Sequence, residues 1–354
     1  MRLFTPLKIR DVTFRNRIVV SPMCQYSSTD GFANDWHLVH LGTRAVGGAA
    51  LVFTEATAVT PEGRITPDDL GIWKDEHIDF LARIVRFIEQ QGAVAGMQLA
   101  HAGRKASTAA PWLGGHAVLE ADRGWRPIFA PSAIPFSDKH PAPQALDEAG
   151  IRAIVRAFGE AAGRALKAGF RVLEIHAAHG YLLHSFLSPL SNHRQDAYGG
   201  SFDHRTRIVH EVLGEIRSVW PERYPLFLRI SATDYAEGGW DPEQSVKLAR
   251  QVQPLGVDLV DCSSGGLLPQ VAVPFGPGYQ AAFAERIKKE ASILTGAVGM
   301  ITAAEQAEHV LRSGQADVVV MARELLRHPY WPLEAARRLG AEAPWPNQYL
   351  KAKQ

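Results

Sequence analysis

The chain has 354 residues, of which 46% are hydrophobic and 21% charged, a composition typical of a globular protein with a sizeable core. The 38 basic and 37 acidic residues leave a formal net charge of +1, which argues against nucleic acid or an anionic membrane as the main partner. Only two cysteines occur, Cys24 and Cys262, too few for a disulfide-stapled fold or a four-cysteine metal site.

The N-terminal segment lacks the long apolar region and the cleavage site of a secretory signal. No apolar stretch reaches the ~18 residues that a membrane-spanning helix requires. The sequence therefore predicts a cytoplasmic protein without a membrane partner.

Short apolar runs rich in β-branched residues recur along the chain, and each is followed by a longer amphipathic stretch. Continuous apolar character is typical of strands that are buried on both faces of a parallel sheet. The eight predicted strands are residues 18–21, 50–54, 94–99, 172–175, 226–230, 257–261, 292–295 and 317–321. This alternation favours an α/β fold of the closed (β/α)₈ barrel type, formed as a single domain by residues 1–354. An open Rossmann-type sheet is the alternative, but no G-x-G-x-x-G follows the first strand.

Other elements are predicted from the segments between these strands. Residues 8–17 are expected to form a hairpin that closes the bottom of the barrel, and residues 75–91 an amphipathic helix. Asp147 is a candidate N-cap, and Thr302, with a glutamate three residues later, has the spacing of a capping box. The long segment 103–146 is predicted to be a lid over the active face.

The carboxyl ends of barrel strands meet at one face, where the chemistry of such folds is carried out. Polar residues converge on this face from most of the predicted strands. They are Ser21, Gln25, Tyr26, Glu55, Gln98, His101, His176, His179, Tyr181, Arg229 and Arg323.

The segment from His176 to Tyr181 places two imidazoles and a phenol just after a buried strand. The two histidines could bind a metal with Glu174 as a third ligand. They could instead be structural, with their hydrogen bonds satisfied inside the protein. The third reading, which we favour, is that both donate to a substrate oxygen while Tyr181 acts as a nearby acid. No metal site is therefore predicted.

Arg229 follows apolar strand residues, and a buried guanidinium needs an anionic partner. That partner is either a carboxylate, from Glu174 or Asp261, or the ring of an anionic cofactor. Cys24 is either a small buried apolar residue or a cofactor contact at a strand end.

The last two strands end near Gly296, Gly299 and Arg323. These residues could form an ordinary turn with a surface charge. Their position favours a phosphate site, because the loops after strands seven and eight bind phosphate in many barrels.

Five groups of residues occur in order along the chain. They are Ser21-Pro22-Met23-Cys24-x-Tyr26; Gln98-Leu99-x-His101-x-Gly103-Arg104-Lys105; His176-x-x-His179-Gly180-Tyr181-Leu182; Ser188-Pro189-x-Ser191-Asn192-x-Arg194-x-Asp196-x-Tyr198-Gly199-Gly200; and Gly296-x-Val298-Gly299 with Arg323-Glu324. Together they resemble the old yellow enzyme family of FMN-dependent ene-reductases, and within it the bacterial thermophilic-like class with a cysteine beside the flavin. The resemblance runs essentially from end to end.

The resemblance implies that FMN lies across the barrel mouth. The implied cofactor-binding residues are Ser21, Pro22, Met23, Cys24, Ala56, Gln98 and Arg229 around the flavin ring, and Val298, Gly299, Met300, Ala322 and Arg323 at the phosphate. Family members usually have glycine where this chain has Ala322. Cys24 is expected to tune the flavin potential rather than to act as a nucleophile.

The implied activity is ping-pong reduction of activated alkenes with NADPH or NADH as the reductant. His176 and His179 are expected to hold the carbonyl or nitro oxygen of the substrate, with Tyr26 as a further substrate contact, while Tyr181 protonates the α-carbon. An arginine of the last helix is expected to reach the active site of a neighbouring subunit in a homodimer or homotetramer; Arg337 is the best match, with the adjacent Arg338 as the alternative.

Three other functions compete with this one, and the cysteine count excludes the first. Larger dienoyl-CoA reductases and amine dehydrogenases share the barrel but carry an iron–sulfur cluster on four cysteines, and this chain has two. A metal-dependent barrel hydrolase or lyase would use His176 and His179 as ligands. The third is a flavin-binding protein without turnover.

Overall fold

The computed structural model describes residues 1–353, and strands alternate with helices along most of that length. The strands are β1 Leu7–Ile9, β2 Val12–Phe14, β3 Ile18–Val20, β4 Leu51–Ala58, β5 Val94–Ala100, β6 Phe129–Ala130, β7 Gln144–Ala145, β8 Val172–Ala177, β9 Leu226–Ser231, β10 Leu259–Ser263, β11 Leu294–Val298 and β12 Val318–Met321. The α-helices are α1 Asp35–Val46, α2 Ile78–Gln90, α3 Glu148–Ala168, α4 Leu182–Leu187, α5 Phe202–Val219, α6 Pro242–Val252, α7 Ala281–Ala291, α8 Ala304–Arg312, α9 Arg323–Arg327 and α10 Trp331–Leu339.

Eight parallel strands close into a barrel in the order β3-β4-β5-β8-β9-β10-β11-β12. Every residue of β4, β5, β8, β9 and β10 is buried, as expected for strands covered on both faces. The predicted (β/α)₈ barrel is therefore confirmed, and the open Rossmann-type sheet is wrong. None of the helices formed by residues 1–353 is both long and apolar enough to cross a membrane.

The amino end of the barrel is closed by the hairpin of β1 and β2, as predicted. Ile9, Val12 and Phe14 of this hairpin belong to one apolar cluster with Val19 and Phe53 of the barrel strands. The opposite, carboxyl end of the barrel is thereby left for the polar residues.

The helix starts show which sequence signals were reliable. Asp147 is the N-cap of α3, and its carboxylate accepts a hydrogen bond from the Gly150 N–H at 2.7 Å, as predicted. The capping box at Thr302 is wrong, because α8 begins two residues later and the Thr302 N–H donates to the Gln306 side chain at 3.1 Å. Glu305 pairs with Arg338 instead.

Two strands begin later than predicted. The amide of Val257 still donates to a carbonyl at the end of α6, so β10 starts after it instead of occupying residues 257–261. Ser292 has a left-handed conformation at the end of α7, with φ of 55°, and β11 therefore begins at Leu294 instead of at residue 292. As a result Ser263 ends a strand, and Gly296 lies inside one.

Residues 103–146, the segment predicted to be a lid, contain regular secondary structure. Short helical turns alternate with extended segments, and β6 pairs with β7. The Trp112 ring packs edge-on against Tyr26, which follows β3, with 5.4 Å between the ring centroids. The segment thus lies beside the carboxyl end of the barrel, while closure over it stays a prediction.

Strand register fixes the neighbours of the buried polar residues. Gln98 on β5 lies opposite Glu174 on β8. His176 on β8 lies opposite Arg229 on β9, and Arg229 lies opposite Asp261 on β10. Because residues in register share a face of the sheet, these side chains form a polar group inside the carboxyl half of the barrel.

Candidate active site

His176, His179 and Tyr181 are brought together by the turn between β8 and α4. His179 and Gly180 both have positive φ, of 60° and 75°, which reverses the chain within three residues. The rings of His176 and Tyr181 meet edge-on with centroids 4.9 Å apart, and His176 and His179 meet at 5.1 Å. The structure therefore places all three predicted catalytic side chains in one cluster, which we call the catalytic turn.

The hydrogen bonds assign the tautomers of the two histidines. His176 Nδ1 accepts from the Ala178 N–H, so its Nε2 carries the proton and donates to His179 Nδ1 at 3.3 Å. His179 therefore carries its proton on Nε2, which donates to Ser263 Oγ at 2.7 Å. Each ring thus has one N–H donor, that of His176 engaged by His179 and that of His179 engaged by Ser263.

The electrostatic surroundings keep both imidazoles neutral. Burial lowers the pKa of His176 and His179 well below the usual value, and the positive charge of Arg229 adds to this effect. No group of three His, Cys, Asp or Glu side chains within residues 1–353 is arranged to hold a metal ion. The geometry fits neutral hydrogen-bond donors.

Tyr181 is a phenol that holds its proton strongly. Burial raises its pKa well above 10, and the nearby Cys24 and Asp69 add to the shift. Because the phenol stays neutral at physiological pH, it can donate a proton to a strong base formed beside it but to little else.

Arg229 lies within β9, and its side chain is almost completely buried. Its Nε lies 3.3 Å from Asp261 Oδ2, and its Nη1 donates to Ser21 Oγ at 2.9 Å. Of the two carboxylate partners considered, Asp261 is thus the one in contact. Glu174 instead accepts from Gln98 Nε2 at 2.7 Å, and burial beside Asp261 raises its pKa to about 8.

The segment after β3 carries Pro22, Met23 and Cys24. It is held by Glu55, whose carboxylate accepts from the Gln25 N–H at 3.1 Å. Burial raises the pKa of the Cys24 thiol, and the charges of Asp69 and Glu55 raise it further. A thiol in this environment is not ionised, which agrees with a modulating rather than nucleophilic role.

A cavity of about 320 Å³ extends from Arg229 to the ends of β11 and β12. All of the predicted phosphate residues line it, namely Val298, Gly299, Met300, Ala322 and Arg323. A Cβ at Gly299, where φ is 125°, would lie 2.8 Å from Gln280 Nε2, so only glycine fits there. Gly296 is different, since its Cβ would meet Val320 in the barrel wall at 2.9 Å. It serves strand packing and does not line the cavity.

The cavity is positive in character. Arg229 and Arg323 both line it, and the carboxylate of Glu324 is paired with Arg327 at 2.5 Å. Arg229 Nε, although it lies 3.3 Å from Asp261 Oδ2, makes no well-aligned hydrogen bond to any group within residues 1–353. Such a surface suits a ligand that combines a phosphate with a polar ring.

Residues 2–342 match the family described as NADH:flavin oxidoreductase / NADH oxidase. The chain belongs to this family. An NADPH dehydrogenase of Bacillus subtilis (strain 168) is 48% identical over 350 residues, covering 98% of each chain. An NADPH dehydrogenase of Halalkalibacterium halodurans is 50% identical over 353 residues, covering 99% of this chain and 98% of the other.

Solved structures agree with this assignment. Morphinone reductase superposes with a TM-score of 0.80 at 26% identity, covering 98% of this chain and 91% of that one. 2-Naphthoyl-CoA reductase gives a TM-score of 0.86 at 25% identity, but the match covers 52% of its length and 96% of this chain. The chain thus spans about half of that larger protein and the full length of the NADPH dehydrogenases.

Membership of the family makes the chain an oxidoreductase with FMN as its cofactor and NAD(P)H as its reductant. The residues present fit FMN. Arg323, the glycine at position 299 and the start of α9 suit a phosphate, and the positive charge of Arg229, which lines the same cavity, suits a polar ring edge.

Several residues in or beside the cavity and the catalytic turn were not assigned from the sequence. Ser263 was not assigned because the predicted strand ended at Asp261. A polar residue two positions later lies on the same face of a strand as Asp261, and this spacing could have identified Ser263. His184 accepts from the Gly180 N–H at 2.9 Å and lies 2.9 Å from Asp234. A histidine among the leucines and phenylalanine of α4 is a sequence signal of a buried polar contact and could have identified His184. Gln280, which donates to the Val298 carbonyl at 2.8 Å, offered none.

Arg337 and Tyr26 are the predicted substrate residues that do not belong to the catalytic turn. Arg337 lies on the exposed side of α10, and its neighbour Arg338 pairs with Glu305. Arg337 was predicted to act in a neighbouring subunit, and that stays a prediction. Tyr26 lies two residues after Cys24. It has a left-handed backbone conformation, with φ of 49°, and its ring packs against Trp112.

Proposed function

We propose that the chain reduces activated C=C bonds of α,β-unsaturated aldehydes, ketones, imides or nitro compounds with NAD(P)H in a ping-pong cycle. The observation that carries this proposal is the catalytic turn itself. It holds two neutral imidazole N–H donors and a protonated phenol together, beside a cavity that fits FMN. When bound, FMN supplies the hydride from its N5 atom.

The side chains polarise the substrate, supply a proton and stabilise negative charge. His176 Nε2–H and His179 Nε2–H turn from their present acceptors to the substrate oxygen, which draws electron density from the double bond. Tyr181 gives its proton to the α-carbon from the face opposite the hydride. Arg229 lines the cavity, and its positive charge would favour negative charge on the bound cofactor. Tyr26 borders the substrate.

We further propose that residues 1–354 act as one FMN-binding domain in the cytoplasm. Two or four copies would assemble so that Arg337 of each reaches the active site of a neighbour. Arg338 already pairs with Glu305, whereas Arg337 forms no ion pair among residues 1–353, which favours Arg337 for this role.

An absorbance spectrum of the purified protein tests the proposed function. A yellow band should bleach on anaerobic addition of NADPH and return on addition of 2-cyclohexenone. A band that bleaches and does not return with any activated alkene would leave a flavin reductase of other specificity. A colourless protein that stays so with added FMN and contains stoichiometric zinc would favour the metal-dependent alternative.

The thiol of Cys24 offers a second test. Cys24→Ser is expected to shift the flavin potential and spectrum while turnover continues, because the thiol is un-ionised and lies beside the ring residues rather than in the catalytic turn. Potentiometric titration and steady-state assays measure the two effects. A variant that keeps its FMN but loses all activity would contradict the modulating role.

A further inference from the structure

Lys105 is a residue of the second motif to which the proposed function gives no role. It ends the short turn Gly103–Lys105 that follows β5. Its Nζ donates to the carbonyl of His179 at 2.8 Å and to the carbonyl of Gly266 at 2.6 Å. His179 belongs to the catalytic turn, and Gly266 belongs to the loop after β10. Lys105 therefore joins the loops that follow three barrel strands.

The two carbonyls come together because the loops touch backbone to backbone. A Cβ at Gly180 would lie 2.4 Å from the Gly266 oxygen, and a Cβ at Gly266 would lie 2.7 Å from His179 Cα. Both glycines have positive φ, so the contact depends on their lacking side chains. Arg104 strengthens the same junction by donating to the Leu267 carbonyl at 2.7 Å.

The Lys105 ammonium also brings a positive charge, and no carboxylate within residues 1–353 is paired with it. The charge lies 4.2 Å from the ring centroid of Phe136 and 5.5 Å from that of Tyr181. Burial, with a smaller contribution from Arg104, lowers the pKa of Lys105 to about 7. The same charge contributes to the lowered pKa of His176 and His179.

His140, which packs edge-on against Phe136, is also near this charge: its pKa is lowered by burial and then by Lys105 and Arg104. The groups around the ammonium are thus cationic, neutral or aromatic. An anionic oxygen at the catalytic turn would lie close to this ammonium, and the attraction between opposite charges is stronger where burial lowers the local dielectric constant.

We propose that Lys105 is a positioning residue with two separable effects. Its hydrogen bonds hold the catalytic turn against the loop after β10, and its positive charge favours anionic oxygen at that turn, on the substrate or on Tyr181. The inference deepens the proposed function, because it concerns the same histidines and tyrosine.

Protonation separates the two effects. A neutral amine still has two N–H donors, as many as the carbonyls that Lys105 contacts, so the loop contacts persist when the proton is lost. The charge effect disappears as the pH rises through about 7, since the pKa is lowered to that value. Anion binding should therefore weaken with rising pH while the turn keeps its structure.

Ligand binding to the FMN-loaded enzyme tests this inference without requiring alkene reduction. The probe is pentafluorophenolate, an oxygen anion followed by fluorine NMR, and pentafluoroanisole is its neutral counterpart. Lys105→Met is expected to weaken binding of the anion about tenfold at about pH 6 and to leave the neutral probe unchanged. Lys139→Met, which removes an exposed lysine of the same long segment, is the matched control and should bind both probes as wild type does.

Lys105→Arg provides the second variant, because arginine keeps its charge at all accessible pH values. The wild type should lose affinity for the anion between about pH 6 and about pH 9, whereas Lys105→Arg should not. If Lys105→Met does not fold, this comparison decides alone. Equal anion binding in wild type and Lys105→Met, or a pH response in Lys105→Arg equal to that of wild type, would overturn the inference. A failure of the proposed function would instead appear as absent alkene reduction with the probe results intact.

Discussion

Replacing Tyr181 by phenylalanine is expected to slow alkene reduction by about 10²–10⁴-fold, the range typical of a lost general acid. Reduction of the flavin by NADPH should stay close to the wild-type rate, because that step needs no proton from the phenol. The ring packing on His176 should be retained, since phenylalanine keeps the aromatic face that meets the imidazole. Anaerobic stopped-flow measurement of each half-reaction separates the two rates.

The pH dependence gives the same test a second readout. Burial raises the pKa of Tyr181 well above 10, so its protonated, donating form persists through the neutral and moderately alkaline range. The wild-type rate of alkene reduction should therefore show no loss attributable to Tyr181 below about pH 10. Tyr224→Phe is the control, since Tyr224 packs against Trp220 at the other end of the barrel. Equal slowing of both half-reactions by Tyr181→Phe would remove Tyr181 as the acid.

The sequence was informative wherever a local pattern decides the structure. Apolar runs predicted the barrel strands, and Asp147 predicted the start of α3, because strand burial and N-capping depend on residues close together in the sequence. Polar residues at strand ends identified the catalytic turn for the same reason. Errors arose at Thr302 and Ser292, where a competing side chain or a left-handed residue displaced the boundary.

Partners that are distant in the chain could not be predicted. Glu174 and Asp261 were equally suitable partners for Arg229, and only the pairing of β9 with β10 selects Asp261. The contacts of Lys105 depend on carbonyl groups, which every residue possesses, and so no residue type in the sequence marks them. These long-range choices follow from barrel closure rather than from local preference.

Of the substitutions proposed for this protein, Arg229→Met is expected to lower the free energy of unfolding the most. The change leaves Asp261 as a buried carboxylate without its cationic neighbour, and breaking a buried pair in this way costs about 3–5 kcal/mol. The variant should also bind FMN weakly, because the ring edge of the cofactor site loses its positive charge. Urea denaturation and fluorescence titration of the FMN-free protein with FMN measure the two effects.

The loss of stability should depend on pH with a definite sign. Burial raises the pKa of Asp261, and Arg229 opposes that rise, so removing the arginine raises the pKa further. A carboxyl whose pKa is higher folded than unfolded binds its proton more tightly in the folded state, and stability then falls as the pH rises. The deficit of Arg229→Met relative to wild type should therefore shrink toward acidic pH.

The double variant Arg229→Met with Asp261→Asn separates stability from cofactor binding. It removes both charges, so it should recover much of the stability lost in the single variant. Its FMN affinity should stay low, because the positive charge at the ring edge is still missing. A single variant as stable as the wild type would show that the Arg229–Asp261 contact contributes little. Recovery of FMN affinity in the double variant would show that Asp261, left alone, had repelled the cofactor and that Arg229 serves only to neutralise it.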